Sequence, residues 1–156
     1  MKCGEQLKTE SETCEEEHFT AEVGAEFYAR PANTGEGTGM KVGYNISYDE
    51  DRMFASLSLN CLEDAESIEE AAEEKHHSSL DSSLRTDLKI EHDQEFLGEP
   101  ASCVSFRVDL NGEYTVSMYY FEKGGNIYQA SLFCPDSCGE EFMNDIQPVM
   151  DSIEFK

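Results

Sequence analysis

The sequence contains no tryptophan and few basic residues: 11 lysines and arginines stand against 34 aspartates and glutamates. The formal net charge is therefore -23 at neutral pH. Because nucleic-acid binding depends on clustered lysine and arginine, this balance argues strongly against a DNA- or RNA-binding protein. It argues equally against attachment to anionic membrane surfaces. A basic partner, a divalent cation or simple solubility is compatible with the charge.

Long apolar segments are also missing. No run approaches the roughly 20 apolar residues that span a bilayer, so no transmembrane helix is predicted. Met1-Lys2-Cys3-Gly4 is followed at once by polar and acidic residues, which leaves no apolar signal-peptide region. If Met1 is the native start, we expect a cytoplasmic protein. If a leader precedes it, Cys3-Gly4 is typical of the pair after a lipoprotein cleavage site, and an exported or lipid-anchored protein is expected.

Motifs of common catalytic and cofactor sites are absent from the sequence. No serine or cysteine lies in a glycine-rich nucleophile elbow. The segment Gly35-Glu36-Gly37-Thr38-Gly39 has neither the lysine of a phosphate-binding loop nor the strand-to-helix context of a dinucleotide site. Acidic residues are so numerous that no acid–base pair stands out. These absences favour a protein that is not an enzyme, and they predict no cofactor.

The chain of 156 residues has the length of one domain, and nine Phe and seven Tyr are enough for a core. Residues 1–18 are rich in Glu, Lys, Ser and Thr without apolar periodicity, which predicts a flexible acidic lead. Residues 19–156 are predicted to form a single, monomeric α+β domain. Phe19 to Tyr28 is expected to be one strand, and Pro31 to Gly39 a loop.

Alternation of apolar and polar residues predicts an antiparallel sheet of about six strands. The alternating segments are Met40–Tyr48, Ala55–Cys61, Lys89–Phe96, Val104–Leu110, Tyr114–Phe121 and Ile127–Cys134. Asn111-Gly112 and Gly124-Gly125-Asn126 lie between the last three, and such pairs are typical of tight hairpin turns. The last three segments therefore predict a three-strand meander.

Two helices are predicted to pack on this sheet. Ser67 with Glu70 three residues later forms a capping box, in which the hydroxyl accepts from an early backbone N–H. Apolar residues then recur at three- and four-residue steps as far as Leu84. A second apolar stripe begins at Phe142. Pro148 lies within it and is expected to kink or restart the helix, because proline lacks the N–H and clashes one turn back.

With this order of elements the sequence resembles the PsbP-like superfamily, which includes bacterial DcrB-type lipoproteins, the extrinsic photosystem subunit and a eukaryotic Ran-binding import factor. The resemblance covers about Met40 to Phe155. It is carried by Ser67-Ile68-Glu69-Glu70-Ala71-Ala72, by Tyr119-Tyr120-Phe121 with Ile127-Tyr128, and by Pro148-Val149-Met150-Asp151-Ser152-Ile153-Glu154-Phe155. It implies an α/β/α sandwich around an antiparallel sheet. Most members of the family act by binding other proteins, and many bacterial members have no assigned activity. The basic surfaces of some members are missing here, so no single partner carries over.

Cysteines supply the candidate redox site. Cys134 and Cys138 lie close together at the end of a strand, and they form a possible disulfide or redox pair. A thiol near a helix start can have a lowered pKa, which favours thiolate chemistry. The spacing is not Cys-x-x-Cys, so two ordinary loop thiols are the alternative. Cys61 shares the apolar face of its strand and is expected to be a core thiol, whereas Cys103 falls on a polar face.

Metal ligands are sparse. His76 and His77, with Asp81 one turn on, are weak candidates for a zinc site because their spacing is not ideal. Asp49-Glu50-Asp51 and Glu63-Asp64 offer carboxylates without the spacing of a calcium loop. No metal site is therefore predicted.

The leading hypothesis is a non-catalytic binding or accessory domain that recognises a protein or another basic ligand through its acidic surface. A thiol-active protein that uses Cys134 and Cys138 is the first alternative, and a divalent-cation binder is the second. The strand Tyr114–Phe121 carries large side chains on both faces, which predicts a central strand covered on both sides. An aromatic surface left open for a partner is the alternative to that prediction.

Overall fold

The structure, a computed structural model, describes residues 12–15, 19–24, 27–31, 40–47, 55–62, 65–80, 85–109 and 112–155. The strands in these ranges are β1 (Glu12–Glu15), β2 (Phe19–Val23), β3 (Tyr28–Pro31), β4 (Met40–Ser47), β5 (Ser56–Leu62), β6 (Arg85–Phe96), β7 (Glu99–Asp109), β8 (Glu113–Lys123), β9 (Asn126–Pro135) and β10 (Glu154–Phe155). The helices are α1 (Ile68–Ser79) and α2 (Gly139–Asp151), and a 3-10 turn (Asp136–Cys138) precedes α2.

Seven of these strands form one antiparallel sheet in the order β3-β4-β5-β9-β8-β7-β6. Since β7, β8 and β9 are neighbours in sequence and in space, the predicted meander is confirmed. A smaller sheet has the order β1-β2-β10. The predicted α+β class is confirmed, with seven strands in the main sheet instead of about six.

The two helices cover opposite faces of the main sheet. Tyr120 of β8 belongs to a core cluster with Ala72 of α1, and the next residue, Phe121, belongs to the larger core cluster that contains Phe142 of α2. Successive strand residues point to opposite faces, so these contacts define an α1 face and an α2 face. Tyr120 is 2% exposed and Phe121 0%. The prediction of a central strand covered on both sides is therefore confirmed.

Strand β6 lies at the edge of the sheet and contains two β-bulges. One extra β6 residue is inserted near Asp87 and another near Asp93, and both residues have positive φ, at 53° and 62°. A bulge shifts the alternation of the residues that follow it. Ile90 faces α1, yet Phe96, six residues later, lies on the α2 face with its ring stacked 4.8 Å from Tyr119. The second bulge thus directs Phe96 into the α2 core.

The N-terminal part of the chain differs from the prediction. The single strand expected from Phe19 to Tyr28 is wrong, because β2 and β3 are separate strands that belong to different sheets. Phe27 lies between them and is fully buried. Four residues of the predicted flexible lead form β1, which pairs with β2. Pro31, the first residue of the predicted loop, is instead the last residue of β3. The other residues of the lead, and residues 32–39 of the loop, lie outside the described residues.

Helix α1 begins where it was predicted to begin. The Ser67 hydroxyl accepts a hydrogen bond from the Glu70 backbone N–H at 3.1 Å. The helix ends at Ser79, and the expected apolar role of Leu80 is wrong, since that side chain is 59% exposed. Leu84 lies outside the described residues. The hydroxyl of Ser79 donates to the Lys75 carbonyl at 2.8 Å, a type of side-chain bond that competes with helix continuation.

Helix α2 runs as one helix through Pro148, so the restart predicted there as the alternative to a kink is wrong. Pro148 is exposed and lies in the last turn, where a missing N–H removes one bond only. Its carbonyl still accepts from the Ser152 N–H at 3.1 Å. Burial of Ile146, Val149 and Met150 holds the helix on the sheet. Within the described residues, neither helix has the length and apolar character needed to cross a membrane.

Candidate binding surface

Four segments of the chain meet at one end of the main sheet. They are the turn between β6 and β7, the end of β8, the start of α1 and the residues after α2. Two depressions open there, one beside α1 and one beside the end of α2. Because the two helices lie on opposite faces, so do the depressions. Both are lined by Glu99 at the start of β7, so the two depressions adjoin at this side chain.

The depression on the α1 face is strongly acidic, and we call it the acidic depression. Its volume is about 320 Å³, and its lining residues are Glu66, Ser67, Ile68, Glu69, Glu99, Pro100 and Glu122. Four of these side chains are carboxylates and none is basic. Ile68 and Pro100 supply a small apolar base. The capped start of α1 therefore places acidic side chains beside the acidic ends of two strands.

The carboxylates around the start of α1 repel one another. The negative charge of Glu66 is the main cause that raises the pKa of Glu70, and Glu74 and Glu73 act in the same direction. Acidic residues in a first helical turn are favoured by the helix dipole, which offsets part of this repulsion. A cation placed among these groups would relieve the remainder.

One cationic side chain already lies at the junction of the two depressions. The Lys123 ammonium donates a hydrogen bond to the Glu99 carboxylate at 2.8 Å. Lys123 lies at the end of β8, and Glu99 lies at the start of the neighbouring strand. The junction therefore shows how a lysine side chain can be held at this end of the sheet.

The depression on the α2 face has a volume of about 550 Å³ and a mixed lining; we call it the apolar cleft. Its lining residues are Leu97, Gly98, Glu99, Lys123, Met150, Asp151, Ile153, Glu154 and Phe155. The Phe155 ring contacts the buried Tyr128 ring edge-to-face, with centroids 4.9 Å apart. This contact fixes the segment after α2 against the core. Half-buried Ile153 and Phe155 leave apolar surface toward the cleft.

The turn that borders the apolar cleft has an unusual residue. Phe96 pairs with Glu99, so Leu97 and Gly98 form a two-residue hairpin turn, with φ values of 53° and 81°. Such turns need positive φ at both positions and favour Asn-Gly or Asp-Gly. A leucine in the left-handed region costs about 1–2 kcal/mol. Leu97 is retained there with its half-buried side chain on the cleft.

This architecture of two sheets and two helices occurs in a solved protein. The solution structure of cyanobacterial PsbP (CyanoP) from Synechocystis aligns with 100% of this chain and 98% of its own, at a TM-score of 0.59 and 13% identity. This chain has the PsbP-like fold. The resemblance found in the sequence is thereby confirmed at the level of fold, and at this identity the likeness leaves function open.

Two more distant structures align with most of this PsbP-like chain. LpqN of Mycobacterium tuberculosis, a protein involved in cell envelope biogenesis, is 8% identical over 94% of this chain and 91% of its own, with a TM-score of 0.48. A protein of unknown function from Pseudomonas aeruginosa is 7% identical over 92% and 95%, with a TM-score of 0.47. Both proteins are thus only distantly similar to this chain. No family model matches the sequence, and no curated protein matches it.

In the PsbP-like fold Cys134 lies at the end of β9, away from both depressions. Its thiol lies 3.7 Å from the Gly139 carbonyl at the start of α2. Burial is the main cause that raises the pKa of this thiol, and the Asp136 carboxylate raises it further. A raised pKa disfavours the thiolate that redox chemistry needs. The side chain of Cys138 lies outside the described residues, so the pairing of the two cysteines stays a prediction.

Cys134 is therefore expected to react slowly with thiol reagents. In the reduced protein, site-resolved mass spectrometry should show its alkylation rate still rising above pH 9, because both burial and Asp136 oppose ionisation. Asp136→Asn should shift that rate profile to lower pH, whereas Asp109→Asn, on another strand, should leave it unchanged. Fast alkylation with an inflection below pH 8 would contradict this expectation.

Two further cysteines are described. Cys61 is 0% exposed in the α2 core, so its predicted place as a core thiol is confirmed. Cys103 shares a strand face with Ser105 and Arg107, as predicted, yet it is only 7% exposed. Burial raises its pKa, and a hydrogen bond with Tyr119 partly opposes that effect. A polar strand face in the sequence therefore does not mean an accessible thiol.

The histidines predicted as weak metal candidates lie in the last turn of α1. His76 is half-buried and His77 exposed, while Asp81 and the acidic runs 49–51 and 63–64 lie outside the described residues. In the part of the chain that the structure describes, no three His, Cys, Asp or Glu side chains are placed to hold a metal ion. His92, which has no partner in the sequence pattern, instead contacts the Ser102 hydroxyl at 2.7 Å.

Sequence reasoning missed both depressions. Their residues come from segments up to about 90 positions apart, and acidic residues are too frequent in the chain for four of them to stand out. The only helpful feature of the sequence was the presence of both a capped helix start and two hairpin ends. These segments can be placed next to one another only when the order of the strands in the sheet is known.

Proposed function

We propose that this domain is a non-catalytic binding module that holds a lysine- or arginine-containing segment of a partner protein in the acidic depression. The observation that carries the proposal is the shared lining of one depression by Glu66, Glu69, Glu99 and Glu122. The net charge of -23 favours the approach of a basic partner from a distance.

The strength of such binding follows from the number of charges. One exposed ion pair contributes only about 0.2–1 kcal/mol, so no single glutamate accounts for recognition. Several carboxylates around one cation act together, and they also raise the association rate. Exposed pairs are screened by salt, so the affinity should fall steeply as ionic strength rises.

The absence of an activated nucleophile among the described groups with a shifted pKa supports the non-catalytic part of the proposal. Burial raises the pKa of the thiols of Cys103 and Cys134. Burial also raises the pKa of Tyr120 and of Tyr128 to about 12. All four groups are therefore held in their neutral form, which is the opposite of what a nucleophile needs.

A fluorescein-labelled hexalysine peptide tests the proposal. We expect binding at about 50 mM salt that is largely lost at about 300 mM, because screening shortens the range of exposed charges. Glu69→Gln with Glu122→Gln should weaken it roughly tenfold, since two lost pairs are together equivalent to about one power of ten in Kd. Fluorescence anisotropy measures both effects, and a hexaglutamate peptide should not bind.

A matched pair of variants distinguishes binding at the acidic depression from attraction to the overall negative charge of the protein. Glu91→Gln with Glu140→Gln removes the same charge from exposed positions outside the acidic depression. That pair should keep the affinity within about twofold, because neither side chain lines the acidic depression. Equal losses of affinity for the two pairs of variants would show that the peptide responds to net charge alone. That result would contradict the proposal.

A further inference from the structure

We infer that the partner segment crosses the end of the sheet, with its cationic side chain in the acidic depression and an adjacent apolar side chain in the apolar cleft. This inference rests on the proposed function and specifies the class of partner. The two depressions share Glu99 in their lining and therefore lie side by side, within reach of one segment. An extended chain rises about 3.3 Å per residue, so four to six residues cover roughly 13–20 Å, enough to pass around one sheet.

The lining of the apolar cleft indicates what it takes. Leu97, Ile153 and Phe155 are half-buried and offer apolar surface, while Asp151 and Glu154 are exposed carboxylates on the same cleft. Apolar surface inside an acidic rim fits an apolar side chain that is flanked by basic residues. An acidic neighbour in the partner would meet like charges there.

Leu97 gives the cleft much of its apolar character at a conformational cost. Its position, with φ of 53°, is one that asparagine or glycine occupies with less strain. Part of the leucine side chain packs against the α2 core. The part that remains half-exposed lines the cleft, where it would contact the apolar side chain of the partner.

Lys123 occupies the junction as an internal competitor. Its ammonium lies 2.8 Å from the Glu99 carboxylate, where it takes the place of an incoming cation. A basic segment that crosses the sheet end must displace it or share Glu99 with it. Removal of the Lys123 charge should therefore strengthen binding of any basic segment.

Two peptides of equal length and charge test the inference by anisotropy. One has alternating lysine and glycine, and the other has leucine in place of one central glycine. The leucine peptide should bind about tenfold tighter, as burial of one large apolar side chain implies. Leu97→Asn should remove this gain, so that the affinity of the leucine peptide falls to that of the lysine–glycine peptide. Lys123→Met should tighten both peptides about three- to tenfold.

The outcomes separate this inference from the proposed function. Two results would show that the inference of a crossing segment is wrong: equal affinity of the two peptides, or a gain in affinity of the leucine peptide that survives Leu97→Asn. The proposed capture of basic segments would still stand. If Lys123→Met leaves both affinities unchanged, the competitor role is wrong. If neither peptide binds, the proposed function itself fails. Thermal unfolding checks each variant, and Ile153→Thr, which also reduces the apolar lining, replaces Leu97→Asn if that variant does not fold.

Discussion

Replacement of Phe142 by alanine is expected to lower the free energy of unfolding by about 3–5 kcal/mol, a large part of the stability of a domain this size. Phe142 is 0% exposed in α2, and its ring lies edge-to-face with the Phe27 ring at a centroid distance of 6.1 Å. The alanine variant loses the burial of that ring and leaves a cavity between α2 and the chain that enters β3.

Urea unfolding followed by circular dichroism measures this loss. Asn144→Ala is the control, because Asn144 is exposed on the same helix and should change stability by less than about 0.5 kcal/mol. The double variant with Phe27→Ala should be less destabilised than the sum of the single variants, since the two rings share one contact. A loss below about 1 kcal/mol for Phe142→Ala would mean that α2 does not pack as described.

A second large effect is expected at alkaline pH. Burial is the main cause that raises the pKa of Tyr120 from 10.0 to about 12. The folded protein therefore keeps this phenol neutral at a pH where the unfolded chain ionises it. The stability that results is complete below about pH 10 and is lost as the pH rises through about 12, by roughly 2–3 kcal/mol. Burial shifts the pKa of Tyr128 in the same direction, which adds to the loss.

The variant Tyr120→Phe isolates the contribution of Tyr120 to this loss of stability at alkaline pH. It removes the hydroxyl that accepts from the Gln129 amide at 2.7 Å, so at neutral pH it should be less stable by about 1 kcal/mol. Between about pH 10 and pH 12 its stability should then fall less than that of the unmodified protein. Urea midpoints at a series of pH values measure both. Ultraviolet titration of all seven tyrosines near pH 10 in the folded state would contradict the expectation.

Features that depend on neighbours in the sequence could be predicted from it. The alternation in β7, β8 and β9 and the glycine turn at Gly124-Gly125 fix a meander, because each strand pairs with the next one. The start of α1 could be predicted because Ser67 satisfies a backbone N–H within its own helix. These features, with the closing helix, were enough to indicate the PsbP-like fold.

Features that depend on distant packing could not be predicted in this way. β2 and β3 read as one apolar segment, yet they join different sheets because β10 returns to pair with β2. The helix does not restart at Pro148, because α2 ends soon after it and its buried residues hold the helix. Leu80 fits a helical stripe by spacing, but the helix ends before it.

The candidate surface is still harder to predict from the sequence, since it consists of the ends of strands and helices. Glu66, Glu99 and Glu122 are unremarkable in a chain with 34 acidic residues. Their grouping follows from the order of β6, β7 and β8 and from the position of α1 across them. The excess of acidic residues predicts the charge of the proposed partner, and the topology gives the proposed place of contact.

The bulges at Asp87 and Asp93 have a consequence for the concentrated protein. A further chain could extend the sheet at β6 only by forming a regular ladder with it, and a ladder of this kind is the first step of fibril growth. One extra residue at each of two points interrupts the regular spacing that such growth requires. The same irregularity that directs Phe96 into the core thus opposes self-assembly at this border, and the strong negative charge opposes it as well.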